Sequence, residues 1–249
     1  MTNAPLEEFG YRDVRGILVA SVLHRGQPDR RSLVVMTHGF RSSKIGPSRY
    51  FVDVARGLAS KGISSFRFDQ PGSGDSEGAF EDSSFITWID TIELVVSAFH
   101  AEGYAVALLG QSMGGRAAVA AAAKLRDVLE GLALWSPGPM LNANSWEPDG
   151  EWLEEEGQRV RSTFWQEAAT IDFLDLYQSL TCPVYMIFGS ADQLIPLEEM
   201  RAVEAACKNG DQIKVIEGLP HSAWPEPPRL SILRETRQQL ESWFVERTN

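Results

Sequence analysis

Ser112 lies between two glycines in Gly110-Gln111-Ser112-Met113-Gly114, and the chain changes character abruptly across it. Ahead of it, Val106-Ala107-Leu108-Leu109 is a short continuous apolar run, the pattern of a buried strand. Behind it, Arg116 to Leu125 is an alanine-rich run of strong helix formers. A strand that turns this sharply into a helix holds the serine in strained dihedrals and pushes its hydroxyl out at the carboxyl end of a sheet. Glycines flank it because a side chain at either place would strike neighbouring backbone. The turn also leaves the Met113 amide at a helix N-terminus, where an unpaired N–H can receive developing negative charge. A serine hydroxyl is a poor nucleophile alone and needs a base beside it.

The chain has four histidines from which that base could come. His221 follows the last predicted strand, in the loop Gly218-Leu219-Pro220-His221-Ser222, and is the candidate. His38, in Thr37-His38-Gly39-Phe40, is expected to brace its loop. His24 on an opening strand and His100 at a helix C-terminus read as structural. Asp192, in the loop Gly189 to Pro196, is the carboxylate expected to orient the imidazole and stabilise its charged form. Asp69 and Asp75 are its rivals, and Asp69 is expected instead to tie down the Pro71-Gly72-Ser73-Gly74 turn through backbone amides. That turn lacks the lysine and spacing of a phosphate-binding P-loop.

These loops need elements to position them. Residues 11–24 alternate loosely and suggest an antiparallel pair of strands. Leu33 to Met36 reads as a buried strand, Ser48 to Lys61 as a helix and Ile63 to Phe68 as a strand. Phe85 to Phe99 reads as an amphipathic helix started by Asp82-Ser83-Ser84. After the elbow come a strand at Leu132 to Trp135, a strand at Val184 to Phe188, a helix from about Leu197 to Cys207 and a strand at Ile213 to Ile216. A final helix puts Leu230, Leu233, Leu240, Trp243 and Phe244 on one face. This strand–helix rhythm is that of a mostly parallel sheet covered on both faces, with ligands at the carboxyl ends of its strands.

With Thr37-His38-Gly39-Phe40, Phe68-Asp69-Gln70-Pro71-Gly72-Ser73-Gly74-Asp75-Ser76, Gly110-Gln111-Ser112-Met113-Gly114-Gly115, the Asp192 loop and His221, the chain resembles the α/β-hydrolase superfamily from about residue 12 to 245. Within it, the resemblance is to serine esterases that include feruloyl/cinnamoyl esterases and monoacylglycerol-lipase-like enzymes. The resemblance implies an α/β-hydrolase fold, a mostly parallel eight-stranded sheet with helices on both faces and a small lid. It implies that Ser112, Asp192 and His221 hydrolyse carboxylic esters of small to medium acyl or aryl-acyl groups, with the amides of Phe40 and Met113 as oxyanion hole. No metal or organic cofactor is expected. The same machinery could act on a thioester, an amide or a carbon–carbon bond, and a protein that keeps the fold could bind a ligand without catalysis.

One domain over residues 1–249 is expected, with an insert at about 137–181 where the alternation of strands and helices breaks. That insert carries seven of the eleven net negative charges. Its glutamates read as a solvated helical face. Its Trp146, Trp152 and Trp165 are candidates to line an apolar substrate pocket. The net charge of −11 disfavours nucleic acid and anionic membrane as partners. Two cysteines are too few for a disulfide framework. The sequence shows no secretory signal and no membrane-spanning run, which makes the cytoplasm the expected location, a small-molecule ester the expected partner and a homodimer compatible.

Overall fold

The computed structural model describes residues 6–138, 150–155 and 157–244. The chain opens with β1 (Glu7–Val14) and β2 (Ile17–His24), followed by β3 (Ser32–Thr37), α1 (Tyr50–Ala59), β4 (Ser64–Phe68) and α2 (Phe85–Ala101). Then come β5 (Ala105–Gln111), α3 (Met113–Leu125) and β6 (Leu129–Trp135). The insert holds β7 (Trp152–Glu155), β8 (Gln158–Arg161), α4 (Thr163–Ala169) and α5 (Phe173–Ser179). The chain closes with β9 (Val184–Gly189), α6 (Leu197–Ala205), β10 (Gln212–Ile216) and α7 (Pro228–Ser242). Eight strands form one sheet in the order β1-β2-β4-β3-β5-β6-β9-β10. β2 runs antiparallel to β1 and β4, and the remaining pairs are parallel. This is the α/β-hydrolase fold.

The continuous apolar runs are strands because each buries both faces. Along β5, Val106 and Leu108 pack with Trp88 and Ile92 of α2 and Ala118 and Ala121 of α3. The alternate residues, Ala107 and Leu109, pack with Tyr50 and Phe51 of α1 and Leu233 and Leu240 of α7. The same alternation runs through β3, β6 and β9. β3 lies between β4 and β5, so the chain reverses its direction of travel across the sheet there. The crevice at such a reversal, at the carboxyl ends of the strands, is where this architecture holds ligands.

Two sequence expectations need correction. Leu230 is not on the buried face of α7 but 61% exposed. It lies in the first turn, about 60° round the axis from Leu233 at 3.6 residues per turn, and the buried stripe runs through Thr236 instead. Thr236 accepts a hydrogen bond from Trp135 Nε1 at 3.0 Å. Leaving that indole N–H unpaired would cost about 1–3 kcal/mol, comparable to the gain from burying a leucine there, so a polar residue holds the position.

The second correction concerns the glutamates of the insert. Glu154 is exposed, but on a strand and not on a helix. Leu153 and Val160 face each other across β7 and β8 and pack into the core, alternating with charged residues at the period of a half-buried strand. Arg159 pairs with Glu81 at 2.7 Å and Arg161 with Asp82 at 3.1 Å, fastening the hairpin over the short 3-10 turn Phe80–Asp82. Among the described residues no helix is long and apolar enough to cross a membrane.

Candidate active site

Ser112 sits between β5 and α3 with φ 54° and ψ −127°, a backbone state that non-glycine residues rarely adopt. Hydrogen bonds hold it there. Its amide donates to Trp135 O at 2.9 Å, and its carbonyl accepts from Arg116 N at 3.0 Å and Gly138 N at 2.7 Å. The flanking glycines are steric necessities. A Cβ on Gly114 would stand 2.1 Å from His38 O, and one on Gly110 would stand 2.7 Å from Gly115 Cα.

β9 and β10 are parallel neighbours, and their carboxyl-end loops are laced together. Ser190 N donates to Ile216 O, Ala191 N to Leu219 O and Gly218 N to Ser190 Oγ, all within 3.1 Å. This brings Asp192 and His221 together across 29 residues of sequence. Asp192 Oδ2 lies 2.6 Å from His221 Nδ1, and Ser112 Oγ lies 2.8 Å from His221 Nε2. Facing a carboxylate, Nδ1 carries the proton, which leaves Nε2 as the acceptor of the serine hydroxyl. Asp192 Oδ1 accepts from the amides of Leu194 at 2.8 Å and Ile195 at 3.1 Å. The Asp192 side chain is fully buried and the imidazole is 12% exposed. A hydroxyl, an imidazole and a carboxylate in this order can transfer the hydroxyl proton to the ring as the oxygen attacks an electrophile.

The loop after β3 runs alongside. A Cβ on Gly39 would stand 2.8 Å from Ser112 Cβ, which places the backbone leading to Phe40 against the elbow. None of the loop, turn and cap backbone hydrogen bonds among the described residues takes the Phe40 or Met113 amide. His38 is fully buried and braces this loop. Its Nδ1 donates to Gly39 O at 2.8 Å and its Nε2 accepts from Gln70 N at 2.9 Å. Burial holds its pKa below the ordinary imidazole value, and accepting at Nε2 requires the neutral ring.

Asp69, the rival carboxylate, is occupied elsewhere. Its oxygens take Asp75 N at 2.9 Å, Lys44 N at 2.5 Å and Lys44 Nζ at 2.5 Å. Asp75 also binds Lys44 Nζ, at 2.7 Å. His24 is fully buried, accepts from Arg67 Nε at 2.8 Å and has its pKa pushed down to about 4 by burial and the nearby guanidinium. His100 ends α2 at the surface.

Of the candidate pocket residues, Trp165 packs its ring 5.0 Å from that of Phe40, within a cluster that also holds Phe80 and Phe164. Trp152 lies under the guanidiniums of Arg159 and Arg161, 4.7 and 4.4 Å from its ring centre. Trp146 lies outside the described residues. Sequence reasoning missed Lys44 and Arg116. Lys44 carries no local signal, whereas an arginine directly behind the elbow glycines, in a helix otherwise built of alanine, is one. Among the described residues no group of three His, Cys, Asp or Glu could hold a metal ion.

Residues 28–171 match the family described as serine aminopeptidase, S33 (Hydrolase_4), more than half of the chain. The chain belongs to this family. It is therefore an α/β hydrolase of the serine-hydrolase type. Est1E from Butyrivibrio proteoclasticus, solved with ferulic acid bound, superposes with a TM-score of 0.79 at 24% identity, over 95% of this chain and 98% of its own. The monoacylglycerol lipase of Paleococcus ferrophilus gives 0.73 at 19% identity, over 90% and 99%. Alpha/beta hydrolase domain-containing protein 10 from mouse gives 0.75 at 19% identity, over 94% and 99%. At these identities the likeness is one of fold. No curated protein sequence matches the chain.

Proposed function

We propose that this protein is a carboxylesterase that cleaves esters of small to medium acyl or aryl-acyl groups through an acyl-enzyme on Ser112. The observation that carries the proposal is the pair of short contacts from Ser112 Oγ to His221 Nε2 and from His221 Nδ1 to Asp192 Oδ2. In this reading His221 takes the hydroxyl proton as Ser112 attacks the acyl carbon, and Asp192 stabilises the imidazolium. The amides of Phe40 and Met113 receive the oxyanion, each worth about 3–4 kcal/mol by analogy with a single donor of such a hole. His221 then returns its proton to the leaving alcohol, and water repeats the sequence to release the acid.

We read residues 137–181 as a lid on a single domain, and Phe40, Phe80 and Trp165, backed by the buried Phe164, as the apolar wall beside the acyl group. The ferulic acid held by Est1E supports an aromatic acyl group. The family's description favours a second reading, hydrolysis of an amide at a peptide N-terminus. A panel of p-nitrophenyl esters, acyl thioesters and aminoacyl anilides, run on the wild type and Ser112→Ala, tests both readings. The esterase proposal requires the p-nitrophenyl esters to give the highest kcat/KM and the serine variant to lose the activity. Equal turnover in Ser112→Ala, or failure to react with a fluorophosphonate, would overturn it.

A further inference from the structure

Arginine is seldom fully buried unless its guanidinium is engaged, and Arg116 is fully buried. It stands in the first turn of α3, and its amide donates to the carbonyl of Ser112. Its side chain reaches the other way, into the insert. Nη2 donates to the carbonyls of Ala168 at 3.0 Å and Ile171 at 2.5 Å, and Nε donates to Ala168 at 3.3 Å. Ala168 lies in the last turn of α4 and Ile171 just beyond its cap, at the end of a helix where carbonyls have spare acceptor capacity and a cation is favoured. Burial pushes the guanidinium down to about 10 while Glu199 and Asp172 pull it up, so it stays charged at neutral pH.

A second tie holds the same helix. Glu167 accepts from Ser84 Oγ at 2.8 Å and Ile86 N at 3.2 Å, at the N-terminus of α2. Both anchors lie in and just after the C-terminal half of α4, and the turn ahead of them carries Phe164 and Trp165, whose rings stand 5.1 and 5.0 Å from that of Phe40. Phe164 also packs on Trp88 at 5.2 Å.

We infer that Arg116 is a positioning residue: its guanidinium locks α4 to the elbow helix, so that the partly buried Trp165, backed by the fully buried Phe164, forms a fixed wall against Phe40 that favours bulky aryl-acyl groups over acetyl. The inference rests on the esterase reading of the site. The α4 part of the insert is then a built-in wall and not a swinging flap. Lysine is an incomplete substitute: one ammonium can stand in for Nη2, but it lacks the second donor, Nε, and the planar geometry that holds both in place.

The test uses the full-length chain, with Arg116→Met, Arg116→Lys and Glu167→Ala assayed on p-nitrophenyl acetate and p-nitrophenyl 3-phenylpropanoate. Arg116→Met is expected to lower kcat/KM for the phenylpropanoate about tenfold, mostly through KM, and to change the acetate by less than about threefold, since displacing a wall costs most for the group that fills it. Arg116→Lys is expected to fall between Arg116→Met and wild type, and Glu167→Ala to shift selectivity in the same direction. Amide hydrogen exchange over residues 163–171 should speed up in Arg116→Met. A variant that merely folds less well would lose both substrates in proportion to its fluorophosphonate-reactive fraction, and an unmoved selectivity ratio of that kind overturns the inference. If Arg116→Met does not fold, the other two variants carry the same comparison. A wild type inert to both esters and to fluorophosphonate would remove the esterase reading, and unchanged exchange in α4 would then separately remove the clamp.

Discussion

Asp192→Asn changes almost no volume, yet the hydrogen bonds around residue 192 make it a severe kinetic lesion. The carboxylate is fully buried, with Oδ1 accepting from Leu194 N and Ile195 N and Oδ2 facing His221 Nδ1. Asparagine offers one acceptor oxygen and one NH2 donor. Its oxygen takes the Oδ1 place, because the reverse orientation would turn NH2 toward two N–H donors and leave them unpaired, at about 1–3 kcal/mol each. The NH2 then faces Nδ1, which must give up its proton and accept. The ring proton moves to Nε2, against Ser112 Oγ, where it blocks the transfer that attack requires. Recovering the productive tautomer demands the unfavourable flip, a penalty of about 2–6 kcal/mol. At 1.36 kcal/mol per decade that is roughly 30-fold to 3 × 10⁴-fold in rate, and a loss of about 10⁴ for this exchange in another serine hydrolase lies within that range. We expect kcat on p-nitrophenyl acetate to fall about 10³- to 10⁴-fold, with KM moving by less than about threefold and an unchanged circular dichroism spectrum. A well-folded Asp192→Asn within tenfold of wild type would refute the tautomer argument.

Ser112→Ala and His221→Ala should each lower kcat by about 10⁴ to 10⁶ in the same assay, and the serine variant should no longer take a fluorophosphonate label. Gly114→Ala drives a methyl to 2.1 Å from His38 O and 2.8 Å from Thr37 O. Because both obstacles are backbone, we expect about 1–3 kcal/mol of lost stability, read as a lower urea midpoint. His24 gives a pH dependence whose sign is fixed by its depressed pKa of about 4 against 6.5 for the free group. Between those values the unfolded chain holds a proton that the folded one does not. Acid therefore costs stability, by up to about 1.36 kcal/mol per pH unit, and nothing is lost above about pH 6.5. His24→Gln, whose side-chain oxygen can still accept from Arg67 Nε, should flatten urea midpoints plotted from pH 6.5 to 4. A slope identical to that of the wild type would contradict the assignment.

The strands beneath the site were legible because β3, β5, β6 and β9 bury both faces and so appear as unbroken apolar runs. The elbow was legible because Gly110 and Gly114 answer a local steric demand that only glycine meets. Elements whose burial is settled by distant partners were not. The β7–β8 hairpin is four residues a side, and its apolar pair Leu153 and Val160 is too short a pattern to outvote the surrounding glutamates. Thr236 looks like a surface residue until Trp135, 101 positions away, supplies its partner. Lys44 reads as an ordinary loop lysine, and only the fold brings Asp69 and Asp75 to it. Arg116 reads as one member of a helix-forming run, although a buried cation there has to find its acceptors in another element.

The backbone at residue 112 carries a lasting thermodynamic burden of about 1–3 kcal/mol, since φ 54° with ψ −127° is awkward for serine and easily adopted by glycine. Heat-tolerance screening of random variants without a turnover assay would therefore tend to enrich chains that have lost their nucleophile. Any effort to harden this scaffold has to monitor chemistry and melting together, or it will reward the wrong molecules.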